Sequence, residues 1–441
     1  MLLKPSLALA CLVAIATPLW AQQERFDAPS TSALLARTTN SGETAIRNEA
    51  RSVANGKVEL EPLDFLLSPE EILRHPNASR RLLGKDVQPG TAARLVWKPS
   101  NTFSGMAVET PVLVVNGAYD GPTLCLTAAV HGDELNGIEM VRRVMYELDP
   151  GKLRGMVIGV PIVNLLGFSR NSRYLPDRRD LNRFFPGNPR GSVASRIAAA
   201  FFSDVVRHCD RLVDLHTGSF YRTNIPQLRA DMTNPRVADF VELFGAIPVL
   251  SSAGNSRSLR AAAVQAGIPT VTMEAGEPMR LQRDMVEVGV NEIMTLMAKS
   301  GMYSGLDLWM NRAPAFYDSA WVRANASGIL FSSMELGAEV ASGDILGVIS
   351  DPISNAQHDI VSPYKGRILG MALDQFVMPG FAVYHIGIHA TKGSQAQSPD
   401  GEDGPEDDAY GSELPGEPAD TMPPQDPGAA VLRADDKFDD E

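Results

Sequence analysis

Between residues 110 and 299, short apolar runs and stretches of helical spacing follow one another along the chain, and that order limits it to few folds. Pro111 to Asn116 is a β-branched run, followed by the turn Tyr119-Asp120-Gly121-Pro122. Thr123 to Val130 is a second apolar run, short enough for a buried strand. Leu135, Ile138, Val141, Val144 and Met145 then keep helical spacing over Leu135 to Leu148. The same reading gives strands at Gly155 to Val163, Arg211 to Leu215, Ile247 to Leu250 and Thr270 to Met273. It gives helices at Val193 to Cys209, Asp239 to Phe244, Ser258 to Gln265 and Val286 to Lys299. Strands alternating with helices predict an α/β domain with a largely parallel sheet.

After about residue 301 the texture changes to short strands with frequent Gly and Asp, and an internal repeat emerges. Gly328-Ile-Leu leads to Val340-Ala-Ser-Gly343 and on to Ile349; Gly366-Arg-Ile leads to Val377-Met-Pro-Gly380 and on to Ile386. The pattern resembles the two halves of a biotinyl/lipoyl-type β-sandwich. The turns that would carry a modifiable Lys hold Ser333-Met334-Glu335-Leu336 and Ser354-Asn355-Ala356-Gln357 instead, so the unit reads as a scaffold or lid.

Four motifs carry chemistry. His131-Gly132-Asp133-Glu134 stands where an apolar strand ends and a helix begins, which is where α/β sheets place their sites. His131 and Glu134 can converge on one metal, although His-x-x-Glu alone is a weak signal. Asp214-Leu215-His216-Thr217-Gly218 puts a second His at a strand end, and alternation sets Asp214 on its face, able to orient it. By itself this motif reads equally as a core His satisfied by Asp214. Together the motifs offer His131, Glu134 and His216, the three-ligand set of a catalytic zinc with one position left open.

The third motif runs from Arg173 to Gly187, with four arginines (Arg173, Arg178, Arg179, Arg183) among Pro and Gly. Asn182 and Arg183 could grip a substrate carboxylate, and another Arg could polarise a carbonyl. The alternative is a solvated basic loop paired with Asp177 and Asp180. The fourth is Thr270 to Glu277. Glu274 closes a β-branched strand, where an acid is costly to bury without a task. It suits a general base that later donates to a leaving amine, or else a strand-end salt bridge. Glu277 is expected to face solvent.

His131-Gly-Asp-Glu134, Asp180-Leu-Asn-Arg-Phe-Phe-Pro-Gly187, Asp214-Leu-His216-Thr-Gly and Met273-Glu274-Ala-Gly276, in that order, resemble the motifs of the succinylglutamate desuccinylase/aspartoacylase family, relatives of the zinc carboxypeptidases. The resemblance covers about residues 90 to 390. It implies a zinc carboxypeptidase-like mixed sheet flanked by helices, followed by a small lipoyl-like β-domain. It implies one Zn2+ per chain on His131, Glu134 and His216, with Glu274 as general base. It further implies Asn182 and Arg183 for the substrate carboxylate and Arg173 for the carbonyl. The stretch between Arg173 and Asn182 is longer than in mammalian-type aspartoacylases, so Arg178 or Arg179 could take the carbonyl instead. The expected reaction is amide hydrolysis on an N-acyl amino acid or similar small amide. A carboxypeptidase acting on peptides or cell-wall peptides, and a binding protein on the same scaffold, are the competing readings.

The first 21 residues read as a secretory signal: Lys4, the apolar run Leu7 to Thr17, then Leu19-Trp20-Ala21 as cleavage site. An uncleaved anchor, or a lipoprotein site at Cys11, are the other readings. Export, here expected to the bacterial periplasm, would permit a bridge between Cys125 and Cys209, although nothing in their spacing demands one. No stretch after the signal is long enough for a stable membrane span. The 441-residue chain carries a net charge of −13. From Ala396 onward 15 Asp and Glu face 2 Lys and Arg, so the tail holds the whole excess. The near-neutral remainder offers no basic patch for nucleic acid. The expected organisation is signal 1–21, lead-in 22–89 with helical patches over Leu60 to Leu83 and a helix start at Ser68-Pro69-Glu70-Glu71, catalytic domain 90–300, β-domain 301–390, and an acidic tail 391–441 too poor in apolar residues to build a core.

Overall fold

The computed structural model describes residues 76–99, 109–303 and 315–389. The segments read as signal, helix start at Ser68, most of the lead-in and acidic tail lie outside these residues. Where the helical patches over Leu60 to Leu83 reach the described residues, a small hairpin stands instead: β1 (Arg80–Leu82) pairs antiparallel with β2 (Lys85–Val87). Leu83 and Gly84 both take positive φ, which closes the chain in a two-residue turn rather than a helix.

The catalytic region runs β3 (Thr91–Trp97), β4 (Thr110–Asn116), β5 (Tyr119–Ala128), α1 (Asn136–Glu147), β6 (Arg154–Val160), α2 (Val193–Asp204), β7 (Arg211–His216) and β8 (Arg222–Ala230). It continues through α3 (Pro235–Val241), β9 (Pro248–Ser251), α4 (Leu259–Gln265), β10 (Thr270–Gly276) and α5 (Arg283–Lys299). The strands after it are β11 (Ala315–Arg323), β12 (Gly328–Ser332), β13 (Glu339–Val340), β14 (Ile345–Ser350), β15 (Gln357–Val361), β16 (Gly366–Ala372), β17 (Phe376–Val377) and β18 (Ala382–His389).

Twelve of these strands form one mixed sheet in the order β13-β16-β18-β11-β9-β8-β10-β7-β5-β6-β4-β3. At its centre β5, β7 and β10 run parallel, as do β8, β9 and β11. The two groups meet antiparallel at β10 and β8. Helices α1, α3 and α5 bury Met140, Val144, Phe240 and Ile293 on one face. Helices α2 and α4 bury Ile197, Phe201, Leu259 and Ala263 on the other. Ser258 caps α4 by accepting from Ala261 N, and Ser192 caps α2 in the same way from Ser195 N. The helix expected to reach Cys209 stops at Asp204, and a 3-10 turn over Val206–His208 takes its place.

Two departures from the sequence reading matter for function. The C-terminal strands are continuous with the catalytic sheet, because β11 pairs with β9 and β16 pairs with β8. Only β12, β14, β15 and β17 form a separate sheet. The repeat is visible in both halves, with Gly343 and Gly380 at matching turns and φ of 97° and 90°. The second departure is β8, buried along most of its length in a stretch to which the sequence reading assigned no element.

Cys125 and Cys209 are joined by a disulfide, with Cα atoms 5.7 Å apart across 84 residues of sequence. The bridge ties β5, which leads to His131, to the entry of β7, which leads to His216. Closing a loop of that size stabilises the fold by about 4–5 kcal/mol on the chain-entropy account.

Candidate metal and active site

Each motif sits where the sheet delivers it. After β5, Ala129 takes a positive φ of 49°, turning the chain out of the strand just before His131. Gly132 must be glycine: a Cβ there would stand 2.1 Å from the backbone of Gly167 and Phe168. Glu134 follows just ahead of α1, and His216 ends β7, the strand next to β5, along the same edge.

The three side chains meet around one carboxylate. Glu134 Oε1 lies 2.8 Å from His131 Nδ1, and Oε2 lies 2.9 Å from His216 Nδ1. One ligand atom from each of His131, Glu134 and His216 falls within 4.8 Å of the others, all three residues being buried. Each imidazole is held from behind by a second carboxylate. His131 Nε2 is 3.1 Å from Asp180 Oδ1, and His216 Nε2 is 2.8 Å from Asp214 Oδ2. Asp214 is itself fixed by the Thr127 hydroxyl at 2.6 Å. Imidazoles with Nδ1 turned inward and Nε2 anchored on carboxylates are the arrangement that steers a histidine as a metal ligand. The donor set therefore fits a divalent transition metal of the zinc class.

The electrostatics agree. Burial works against every charge here, yet His131 and His216 hold the Glu134 carboxyl far below its ordinary range. Burial likewise opposes ionisation of Asp180, and His131 with Arg173 outweighs it, keeping that carboxyl well below the usual value. His216 is pushed down by burial but carried well above 6.5 by Asp214 and Glu134. His131 is lowered by burial and Arg173, and raised on balance by Glu134 and Asp180. The cluster thus holds cationic charge in a buried place, as a metal site must.

Arg173 Nη1 donates to Glu134 Oε1 and Nη2 to Asp180 Oδ2, each at 3.2 Å, while its guanidinium lies 5.3 Å from the Phe220 ring centre. Arg178 is exposed, and Arg179 pairs with Asp177 at 3.2 Å. Arg173 thus lies directly against the cluster. Glu274 is buried and in register with His216 across the parallel β10–β7 pair, so both project from one face of the sheet. Its carboxylate accepts from Asn224 Nδ2 at 3.4 Å and lies 3.8 Å from Arg229 Nε. Asn182 serves a structural bond: its Oδ1 accepts from the Leu259 N–H at the start of α4, at 2.8 Å. Arg183 follows it, within electrostatic reach of Asp180. Glu277 does not face solvent as expected. It is 8% exposed, accepts from the Arg280 guanidinium at 2.9 Å and donates its own N–H to Gln282 Oε1 at 2.8 Å.

Residues 120–299 match the model of the succinylglutamate desuccinylase/aspartoacylase catalytic domain. Over this region the chain is similar to that family's catalytic domain. The chain is 29% identical over 258 residues to the N-alpha-acetyl-L-2,4-diaminobutyric acid deacetylase of Halomonas elongata, covering 56% of this chain and 75% of that one. A succinylglutamate desuccinylase/aspartoacylase crystal structure from Rhodobacter sphaeroides superposes with a TM-score of 0.60 at 26% identity, over 69% of this chain and 99% of the other. The product-bound structure of the ectoine utilization protein EutE (DoeB) from Ruegeria pomeroyi gives 0.60 at 25%, over 67% and 95%. The mixed α/β architecture is therefore the family's.

Sequence reasoning missed Asn224, Gln227 and Arg229, all on β8. Pro226 inside the strand and a run of polar residues hid it. The available signal was the run's position: it follows a strand-end His and precedes the next helix, where an α/β chain owes a strand.

Proposed function

We propose that this protein is a zinc-dependent hydrolase of amide bonds that deacylates N-acyl amino acids or similar small amides. The observation that carries the reading is the juxtaposition of the His131, Glu134 and His216 donors with Glu274, one strand away on the same face. When bound, zinc acts as a Lewis acid that polarises the carbonyl and makes water more acidic. Glu274 takes the proton from the attacking water and hands it to the departing nitrogen. Arg173 steadies negative charge on the carbonyl oxygen, and Arg183 anchors the substrate carboxylate beside Asn182. Asp214 and Asp180 keep the two imidazoles aimed inward. The deacetylase relative in Halomonas elongata supports an acyl amino acid over a peptide. No observation favours the carboxypeptidase or binding-protein readings.

We also propose that the protein is exported to an oxidising compartment such as the bacterial periplasm. The Cys125–Cys209 bridge supports this, since disulfides persist there and are rare in the cytosol. Among the described residues no helix is long and apolar enough to cross a membrane. The C-terminal strands serve in this reading as a lipoyl-like scaffold that extends the catalytic sheet.

The test is metal analysis of the purified protein, with turnover of an N-acyl amino acid panel and a peptide panel. One zinc per chain with hydrolysis of N-acyl amino acids is expected, and His216→Ala should lose most of the metal. Full zinc in that variant, or metal without hydrolysis of any amide, would overturn the proposal.

A further inference from the structure

β8 holds a side chain that the mechanism above does not use. Gln227 is completely buried, and neither its Nε2 nor its Oε1 meets a hydrogen-bond partner among the described residues. A buried amide is normally satisfied, and leaving its atoms unpaired costs about 1–3 kcal/mol each. Its position is specific. Gln227 is the register partner of Glu274 across the antiparallel β8–β10 pair, and Glu274 is the register partner of His216. One row across three strands thus reads His216, Glu274, Gln227, all on one face. Strand spacing puts Gln227 about 5 Å beyond Glu274 and about 10 Å from His216.

The ladder confirms that this row is built. Glu274 and Gly276 on β10 face Gln227 and Asn224 on β8, so β8 carries one extra residue there, beside Pro226. Such bulges re-aim side chains next to active sites, and they give a strand proline a place in a sheet. The result is that Asn224 donates to Glu274 while Gln227 stays on the same side with no hydrogen-bond partner among the described residues. Complete burial is no obstacle to a role: His131, Glu134 and His216 are only 3%, 1% and 4% exposed.

We propose that Gln227 reads the side chain of the amine half of the substrate. This rests on the deacylase reading. The carbonyl belongs at the His216 end of the row, and the nitrogen is what Glu274 protonates. A group extending past Glu274 toward Gln227 is therefore carried by the leaving amine. The Gln amide both donates and accepts, so it pairs with a short side chain ending in an ammonium, hydroxyl or amide group. A methyl terminus of the same size leaves the amide unsatisfied. Sites built this way discriminate strongly, because the penalty falls on the buried partner.

The experiment uses the metal-loaded protein and three substrates of matched size: the N-acetyl derivatives of 2,4-diaminobutyrate, homoserine and norvaline. In the wild type, kcat/KM for the two polar substrates should exceed that for the norvaline compound by about 10-fold or more. Gln227→Leu should bring both ratios close to one, mainly through KM. Its melting temperature should hold, since no protein hydrogen bond is lost. Gln227→Glu should turn the preference toward the diaminobutyrate compound over homoserine. It also keeps the test decisive should the Leu variant fold poorly. Equal treatment of all three substrates by the wild type, or unchanged ratios in both variants, would overturn the role of Gln227 and leave the deacylase reading standing. Hydrolysis of none of these compounds by zinc-loaded wild type, nor of any other N-acyl amino acid, would bring down both.

Discussion

Glu274 on β10 stands in register beside His216 on β7, and the two share one buried face of the sheet. Rigid strands thus hold a proton acceptor at a fixed distance from the metal donors, with no loop between them. Glu274→Gln should keep the bond from Asn224 by presenting its amide oxygen, and so keep the fold and the metal. Turnover should fall by about 10²–10⁴-fold, because an amide cannot accept the water's proton. Activity near the wild-type level, measured with metal content confirmed, would assign that task to another group.

Metal loading should release protons. In the metal-free protein His216 lies well above 6.5 and His131 is raised, both held cationic by neighbouring carboxylates despite burial. Their pairing stabilises the metal-free fold fully below the unfolded value of about 6.5, and that stability is lost as pH rises through the folded values. Glu134 and Asp180 are depressed, so their share is present above their unfolded values and lost as pH falls through the folded ones. The metal-free protein should melt highest between these limits, in weakly acidic to neutral solution. Zinc should move the optimum upward, because coordination requires neutral imidazole. Calorimetry at neutral pH in buffers of different ionisation enthalpy should show proton release on loading. Buffer-independent heats would refute the assigned protonation.

Asn182 and Arg183 should separate by experiment although they are adjacent. Asn182 Oδ1 receives the Leu259 N–H, so Asn182→Ala should lower stability by about 1 kcal/mol as well as weaken substrate binding. Arg183→Lys loses the planar fork and should cost about 1–3 kcal/mol in kcat/KM. That cost should shrink when the substrate carboxylate is replaced by a neutral amide, a double-mutant cycle with one partner on the ligand. An equal penalty for acid and amide substrates would show that Arg183 does not read the carboxylate.

Reducing the Cys125–Cys209 bridge should lower unfolding free energy by about 4–5 kcal/mol, from the loop it closes. Denaturant curves of the Cys125→Ala/Cys209→Ala protein against the oxidised wild type measure it. A difference under about 1 kcal/mol would mean that the denatured chain is already constrained.

The sequence alone determined the alternating elements and pointed to the grouping of His131, Glu134 and His216. Apolar runs that end abruptly in His131 or His216 mark strand ends, and strand ends are where a parallel sheet opens to a ligand. Apolar periodicity reports burial against a hydrophobic core, so it located β5, α1, β7 and β10 to within a few residues. It was silent on β8, because that strand's residues beside Glu274 are polar: Asn224 and Gln227 are buried and Arg229 lies 3.8 Å from Glu274. Asn182's bond to Leu259, 77 residues away, and the 84-residue span of the disulfide were equally out of reach. So was the joining of β11 and β16 to the catalytic sheet. Each of these depends on which strands lie side by side, and strand order is fixed by long-range hydrogen bonding and packing that no local spacing encodes.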